Sequence, residues 1–433
     1  MNRQLENPLR RKAGEIARVA AEQGGRALLV GGYVRDTLLG LEPKDGDIEV
    51  YGLEAEVLRA LLEKFGRVDC VGESFRVYKL AWWEKFEGKK QRYELDVSLP
   101  RRDRKVGVGH RGFEVEGDPN ATVEDAARRR DFTLNAILMD PLTEEILDPF
   151  GGKKDLEAKL LRVVDERHFA EDSLRVLRAC QFAARFELSV EERTIEICRQ
   201  IELADLPKER IWGEWEKLLL KSNRPSAGLR VAWQLDALEK LFPYVATAMM
   251  RRGEEMLAAI DGAAREKAVL GYPKQVTLML AAVGAYLGRG EFERFLEALG
   301  IFTLEGYDVR KNAIVLAGER KRPRDWYLQR ETIEDREFRY LSARIEPRLV
   351  YYLAKARGDE EAAAWFLGKM EELGVADGPP EPVLMGRHLL EMGMEPGKRV
   401  GEILQTIYAR QLAGDIVTFE QAQDAARLMM TDS

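Results

Sequence analysis

Strand signals crowd into the first third of this chain and nearly vanish after about residue 140, which limits what it can fold into. Residues 11–23 have helical period, and residues 27–30 form a short apolar run that reads as a buried strand ending at Gly31-Gly32. Residues 33–39 read as a helix stopped by Gly40, residues 47–51 as a strand, and residues 54–65 as a helix. Residues 75–82 and 92–99 are further strands. Downstream, residues 172–186, 190–201, 211–221 and 227–241 carry helical period, with breaks at Arg224-Pro225, Phe242-Pro243, Gly271-Tyr272-Pro273, Arg322-Pro323 and Asp377-Gly378-Pro379-Pro380. No fixed-period repeat or low-complexity tract occurs. The expected architecture is a small α/β head on a long all-helical body.

The chain has 433 residues, 45% of them hydrophobic, enough for two to four domains. Charged residues make up 33% and fall among apolar periodic segments, so they read as solvated helix faces rather than disorder. A net charge of −7 argues against a nucleic-acid partner over the whole surface, but binding depends on local patches. Cys70, Cys180 and Cys198 form no CxxC pair and read as reduced core thiols of a cytosolic protein. His110, His168 and His388 lie far apart with no HD or HxxxH pair, which speaks against a His-rich metal hydrolase. The N-terminal residues show no signal-peptide pattern, and the longest apolar stretch, residues 276–288, is too short to span a bilayer. The expectation is a soluble, cytoplasmic protein that does not engage membranes.

The chemistry concentrates in Leu29-Val30-Gly31-Gly32-Tyr33-Val34-Arg35-Asp36, followed by Lys44-Asp45-Gly46-Asp47-Ile48-Glu49-Val50. A strand running through Gly31 and Gly32 into a helix lets backbone N–H groups approach a phosphate, and Arg35 in the first turns can grip a triphosphate with two donors. By itself a Gly-Gly pair is more often only a tight turn. Asp45 and Asp47, two apart on a strand, face one side, where their charges repel unless a cation lies between them. Mg²⁺ binds one or two carboxylates plus phosphate oxygens, and two such ions can clamp an in-line displacement. The competing reading is a polar Asp-Gly-Asp turn. A third carboxylate would come from Glu94 or Asp96, which share one strand face; Asp96 is preferred because a short apolar stretch and then basic residues follow it.

These residues resemble a known family. Gly31-Gly32-x-Val34-Arg35-Asp36, Leu39-Gly40 and Asp45-x-Asp47 are similar to motif A of class II tRNA nucleotidyltransferases, the CCA-adding enzymes, and of the related bacterial poly(A) polymerases. Arg129-Arg130-Asp131-Phe132-Thr133-x-Asn135-Ala136 resembles the family's RRDFTxNA motif, and Asp148-Pro149-x-Gly151-Gly152 with Asp155-Leu156 and Leu161-Arg162 the motif after it. Glu171-Asp172-x-x-Arg175-x-x-Arg178 resembles EDxxR, and Glu209-Arg210-Ile211 with Lys217-Leu218-Leu219 the start of the body. Residues 27–245 carry the specific part, with an echo at Gly386-Arg387-x-Leu389 and Gly393-x-x-Pro396-Gly397.

The resemblance implies an α+β nucleotidyltransferase palm over residues 1–140, then a helical neck (141–205) that recognises the base, a helical body (206–330) and a tRNA-binding helical tail (331–433). It implies addition of C, C and A to tRNA from CTP and ATP, with two Mg²⁺ ions held by Asp45, Asp47 and Asp96. Asp172 and Arg175 would read the Watson–Crick edge, with Glu171 orienting them and Arg178 nearby. Asp at i and Arg at i+3 of one helix set an acceptor beside a fork of donors, although an exposed salt bridge is the commoner use of such a pair. Arg129 or Arg130 would contact triphosphate and Asp131 the sugar hydroxyls, while Asn135 serves either there or as a buried structural amide.

The sequence departs from the family at Ser173, at Gln181 (a frequent Arg, so one phosphate contact fewer) and at Gly46 (a frequent aromatic, so an emptier space between the aspartates). Residues 100–112, with Arg101, Arg102, Arg104, Lys105 and Arg111 among Gly107, Gly109 and Gly112, read as a flexible basic loop able to close over primer and nucleotide. Arg320, Lys321, Arg322 and Arg324 beside Trp326 and Tyr327 suit phosphate contact and stacking on an RNA end, or else form a solvated helix face. CC-only or A-only addition and poly(A) synthesis remain alternatives. The long basic segment argues mildly against CC-only, and a non-catalytic RNA-binding scaffold would be expected to have lost Asp45 or Asp47.

Overall fold

The computed structural model describes residues 7–71, 77–86, 88–105 and 113–431, with the backbone alone for 86, 101–105, 113–116 and 431. The chain divides into two units: residues 1–206 with 234–237, and residues 207–233 with 238–433.

The first unit opens with α1 (Pro8–Glu22), where Pro8 occupies the first turn and the Asn7 side chain accepts from the N–H groups of Leu9 and Arg10. Then come β1 (Arg26–Val30), α2 (Gly32–Leu38), β2 (Gly46–Tyr51), α3 (Ala55–Leu62), β3 (Arg67–Val71), β4 (Val77–Phe86) and β5 (Lys89–Ser98). A hairpin of β6 (Arg101–Lys105) and β7 (Phe113–Gly117) precedes α4 (Val123–Arg128), β8 (Leu138–Met139) and β9 (Ile146–Leu147). Helices α5 (Gly152–Glu157), α6 (Glu166–Phe169), α7 (Leu174–Phe186) and α8 (Glu192–Gln200) complete the unit.

Seven strands form one mixed sheet, ordered β3-β4-β5-β2-β1-β8-β9. Within it, β2 and β5 run parallel and the other pairs antiparallel. The apolar run of β1 follows from its central place, with both faces covered. Ala27 and Leu29 join the core made with Leu9, Ala13 and Ile16 of α1 and Leu58, Leu61 and Leu62 of α3. Leu28 and Val30 point the other way, onto Ala126, Ala127, Ala136 and Leu138. Register puts Asp47 opposite Val30 and Glu49 opposite Leu28, so both acids lie on this second face.

The helix expected over residues 54–65 stops at Leu62, and the strand expected over 75–82 is described from Val77 to Phe86. The basic segment after Pro100 differs more. Arg101–Lys105 pairs with Phe113–Gly117 as a two-stranded ribbon, while Gly107, Gly109, Arg111 and Gly112 lie outside the described residues.

In the second unit, the described residues are helical apart from turns and a two-residue bridge, Thr303–Leu304 with Tyr307–Asp308. The apolar stretch forms helix Tyr272–Gly284, every residue of which from Val276 onward is buried. It packs against Val309–Gly318, Pro243–Glu266 and Pro347–Ala356. A Cβ on Gly262 would lie 2.2 Å from the carbonyl oxygen of Ala356, so two of these helices touch backbone to backbone where a side chain is missing. Residues 227–241 are two helices, Pro225–Gln234 and Ala237–Leu241, separated where Asp236 takes φ +57°. A separate core of Leu384, Leu389, Ile403, Ile407 and Ile416 closes the unit. No described helix is long and apolar enough to cross a membrane.

Candidate active site in the head

Parallel pairing of β2 with β5 sets Asp47 directly opposite Asp96, on one face of the sheet. Asp45 precedes β2 by one residue and is exposed. Glu94 is exposed too, and its carboxylate meets Arg92 Nη2 at 2.5 Å. The Asp96 carboxylate accepts from Lys79 Nζ at 3.0 and 3.1 Å. Asp47 keeps solvent access, yet the protein crowded around it strips enough water to push its carboxyl above the ordinary aspartate range. Arg130 opposes that rise, and Asp96, Asp45 and Glu49 add to it.

Gly31 at the end of β1 has φ +64° and ψ −129°, a conformation that glycine tolerates. A Cβ there would lie 2.8 Å from Arg130 Nη1 and 3.8 Å from Asp47 Oδ2, so the glycine turn, the arginine and the aspartate share one space. Arg130 donates from Nη2 to Glu49 Oε1 at 2.7 Å, while its buried Nε has no hydrogen-bond partner. A Cβ on Gly46 would meet Leu95 Cδ2 at 2.4 Å, on the core face of the sheet opposite to Asp47 and Asp96, so this position does not open onto the space between the aspartates.

Behind this lies a chain of buried groups. Arg35, only 5% exposed, donates to Asp36 Oδ1 at 2.7 and 2.8 Å and to Asn135 Oδ1 at 2.7 Å. Its guanidinium lies 4.5 Å from the centroid of Phe186 and 5.2 Å from that of Phe182. Asn135 Nδ2 donates to Asp131 Oδ1 at 2.9 Å, and Arg178 Nε donates to Asp131 Oδ2 at 2.6 Å. Burial works to raise the Asp131 carboxyl, but Arg178, Asn135 and the N–H of Phe132 outweigh it and hold the group below the ordinary aspartate range. Arg35 and Asp131 are therefore engaged with protein partners instead of facing open solvent, and Asn135 sits as a buried amide between them. Gln181 is buried and accepts from Arg185 Nη1 at 3.3 Å.

Helix α7 begins at Leu174, so Asp172 lies in the turn before it, where its Oδ1 accepts from the N–H of Leu174 at 3.1 Å. Arg175, one turn on, donates to the carbonyls of His168 at 2.7 Å and Arg129 at 2.8 Å. Glu171, Asp172 and Arg129 are half-buried around it. Asp172 and Arg175 are thus neighbours across a helix start rather than along one helix.

Sequence reasoning missed Glu49 and Lys79. Glu49 continues the alternation of Asp47 on β2, a signal that was available. Lys79 meets Asp96 only through the β4–β5 register, which no local pattern announces. Among the described residues, no three Asp, Glu, His or Cys groups already stand close enough to hold one metal ion. The donor chemistry nonetheless suits a hard cation. Asp47 and Asp96 are paired across strands, Asp45 is adjacent, and their charges act against one another at Asp47.

Residues 27–162 match the family model described as the poly A polymerase head domain. Residues 187–249 match the model described as the probable RNA and SrmB-binding site of polymerase A. The chain is 40% identical over 224 residues to the Multifunctional CCA protein of Haemophilus ducreyi, covering 50% of each. It is 40% identical over 222 residues to that of Stenotrophomonas maltophilia, again 50% of each. It thus spans about half the length of these relatives. A Bacillus stearothermophilus CCA-adding enzyme in complex with CTP shares the fold, with a TM-score of 0.68 at 21% identity, over 99% of this chain and 100% of the other. So does a Thermotoga maritima CCA-adding enzyme complexed with tRNA, with a TM-score of 0.65 at 21% identity, over 99% and 96%. The span matched by the head-domain model includes the residues grouped above: Gly31 and Gly32, Asp45 and Asp47, and the segment from Arg129 to Asn135.

In the basic and aromatic cluster of the second unit, Lys321 and Arg324 are exposed while Trp326 is folded into the protein. Trp326 is 6% exposed and lies 4.6 Å, centroid to centroid, from Phe338. Arg322 donates to Glu319 at 2.7 Å, Arg324 lies 3.7 Å from Asp359, and the Tyr327 hydroxyl bonds Glu361. Trp326 is a core residue, not a platform for a base.

Proposed function

We propose that this chain is a template-independent tRNA nucleotidyltransferase that adds C, C and A to the tRNA 3′ end from CTP and ATP and releases pyrophosphate in the cytoplasm. The observation that carries the reading is Asp47 opposite Asp96 on adjacent parallel strands, beside Gly31 and Arg130. Asp47 and Asp96, with Asp45, would hold Mg²⁺; Lys79 must yield its place on Asp96. When bound, Mg²⁺ supplies charge neutralisation to the triphosphate and acidity to the primer hydroxyl. Gly31 leaves room for a phosphate where a side chain would collide with Arg130. Arg130 sets a positive charge between Glu49 and Asp47 and faces that room. Arg35, Asn135, Asp131 and Arg178 act from behind by fixing α2 and α7. Asp172 and Arg175 are assigned to the base edge, with Glu171 and Arg129 beside them.

The match to a poly A polymerase head favours one second reading, synthesis of A tails on any RNA. Both are tested by supplying each labelled NTP, with Mg²⁺, to tRNA transcripts ending before CCA, after C and after CC, with a poly(A) primer alongside. C, C and A on the first transcript establishes the proposed activity. Use of ATP only on the transcript ending in CC makes it an A-adding enzyme. Long A tails on every primer move it to poly(A) synthesis, and no incorporation anywhere refutes both.

A further inference from the structure

In the second unit, two arginines lie against one tyrosine and a third is near enough to feel their charge. Arg252 and Arg357 place their guanidinium carbons 5.1 and 5.5 Å from the centroid of the Tyr286 ring. Arg320 joins them, held by a bond from Nη1 to the carbonyl of Ala317 at 3.1 Å. These side chains come from four separated segments, so no helix-surface pattern explains the grouping.

The charge is poorly matched. One carboxylate, Glu255, is bonded to Arg252 and its charge also acts on Arg357, so a single acid serves two guanidiniums. Asp359 lies near the tyrosine but also faces Arg324 at 3.7 Å. The charged groups acting on Arg320 are Arg357 and Arg252; with burial, they push its guanidinium below the usual arginine range. Nε and Nη1 of Arg357 are buried and have no hydrogen-bond partner. Guanidinium groups hold their charge under these conditions, so such crowding is costly without a counter-ion. Buried donors left unmade are costly as well. Tyr286 is fixed beneath them by its hydroxyl, which donates to the carbonyl of Glu255 at 3.0 Å. The backbone turns sharply at the same place: Arg252 breaks its helix with φ −144° and ψ 37°. Solvent reaches the group at Arg252, whose side chain is half exposed, and Arg320 separately lines a pocket of about 330 Å³ with Arg289, Arg344 and Glu319.

We infer that Arg252, Arg320 and Arg357 form an oxyanion site that takes a phosphate group, independent of the carboxylate site in the head. Three guanidiniums offer forked donors matched to phosphate oxygens, and Tyr286 holds two of them in place. The phosphate has two possible sources, a free anion or an RNA backbone.

The test uses the full chain and inorganic phosphate. Thermal midpoints are recorded against phosphate concentration at constant ionic strength set with chloride, for wild type, Arg252→Gln and the Arg252→Gln/Arg320→Gln pair. Arg230→Gln is the control, since that exposed arginine is fully paired with Glu254. A saturable rise in wild type and Arg230→Gln that is lost in the pair supports a free-anion site. In parallel, affinity for a tRNA transcript is measured against salt. A fall of about 1–2 in the log–log slope in the pair assigns the site to backbone phosphates. Arg252→Gln alone, at a half-exposed position, should give a partial effect if the pair proves too damaged to fold. Wild-type phosphate response together with wild-type salt slope in these variants overturns the inference.

Discussion

Substituting Gly31 by alanine tests the centre of the proposed site with a single methyl group. Two penalties are expected and can be separated. The backbone at φ +64° and ψ −129° lies where residues with a side chain cost about 1–3 kcal/mol. The new Cβ would also stand 2.8 Å from Arg130 Nη1, and that guanidinium is anchored to Glu49 at 2.7 Å with its Nε enclosed. It can retreat only by lengthening the Glu49 bond, which as a charge-assisted bond is worth about 1.5–3 kcal/mol, part of which is lost. The sum is about 2–4 kcal/mol, read as a shift in urea midpoint at unchanged slope. Gly24→Ala is the control, since Gly24 has φ +83° and nothing within 4 Å of a Cβ, and so carries only the backbone penalty. Incorporation by Gly31→Ala should fall about 10²-fold, as expected for displacement of a positioned group, while Gly24→Ala keeps its rate. Equal stability losses in the two variants, with full activity in Gly31→Ala, would refute the argument that Gly31 makes room beside Arg130 and Asp47.

Asp47→Asn should abolish incorporation and leave RNA binding intact. Because the Asp47 carboxyl is raised in the fold, its stabilising contribution is present below the ordinary aspartate value of 3.8 and is lost as pH rises. The variant should therefore be more stable than metal-free wild type at neutral pH, with the gap closing in acid; a constant gap across a pH series of urea melts would contradict this. Arg175→Ala should alter the ratio of CTP to ATP use more than it weakens RNA binding, and unchanged incorporation ratios among the four NTPs would count against a role at the base edge. Trp326→Ala should cost about 3–5 kcal/mol as a core truncation while tRNA affinity per folded molecule stays constant. A stable variant with weakened affinity would restore Trp326 as an RNA contact.

The division into a strand-rich head and helical remainder was legible because both periodicities survive in local windows. Residues 27–30, for example, emerged as a strand one residue short of Arg26–Val30. Asp47 and Asp96 were legible as separate acids, but their opposition depends on β2 pairing parallel with β5 across a chain separation that no window spans. The arginines were the harder part. A motif position says that a guanidinium is present but not which way it turns. Arg35 and Arg178 turn inward to Asn135 and Asp131, while Arg175 turns to two backbone carbonyls. Trp326 beside basic residues left a stacking platform and a solvated helix face both open, because burial of an aromatic depends on partners such as Phe338 and Phe366, which lie in other helices.

Asn135 shows how narrow the choice becomes once those turns are known. Its Oδ1 accepts a hydrogen bond from Arg35 and its Nδ2 donates one to Asp131, so the position needs one acceptor and one donor of equal reach, which among the side chains that fit an amide supplies. Leucine at this position would keep the volume but leave Arg35 Nη1 without this acceptor and Asp131 Oδ1 with only the N–H of Phe132, a cost of about 1–3 kcal/mol that should vary little between about pH 5 and pH 8. Aspartate would keep the acceptor but set a second carboxylate oxygen about 2.9 Å from Asp131, the present donor–acceptor distance. Two such oxygens hold together only by sharing a proton, which raises the pKa of the pair. Stability gained from a raised carboxyl is lost as pH rises, so Asn135→Asp should approach wild type near about pH 5 and fall away by about pH 8. Urea melts of the two variants across that range decide the matter. A pH-independent deficit in Asn135→Asp would mean that Asp131 is not the group facing this side chain, and the buried link from α2 to α7 would have to be redrawn.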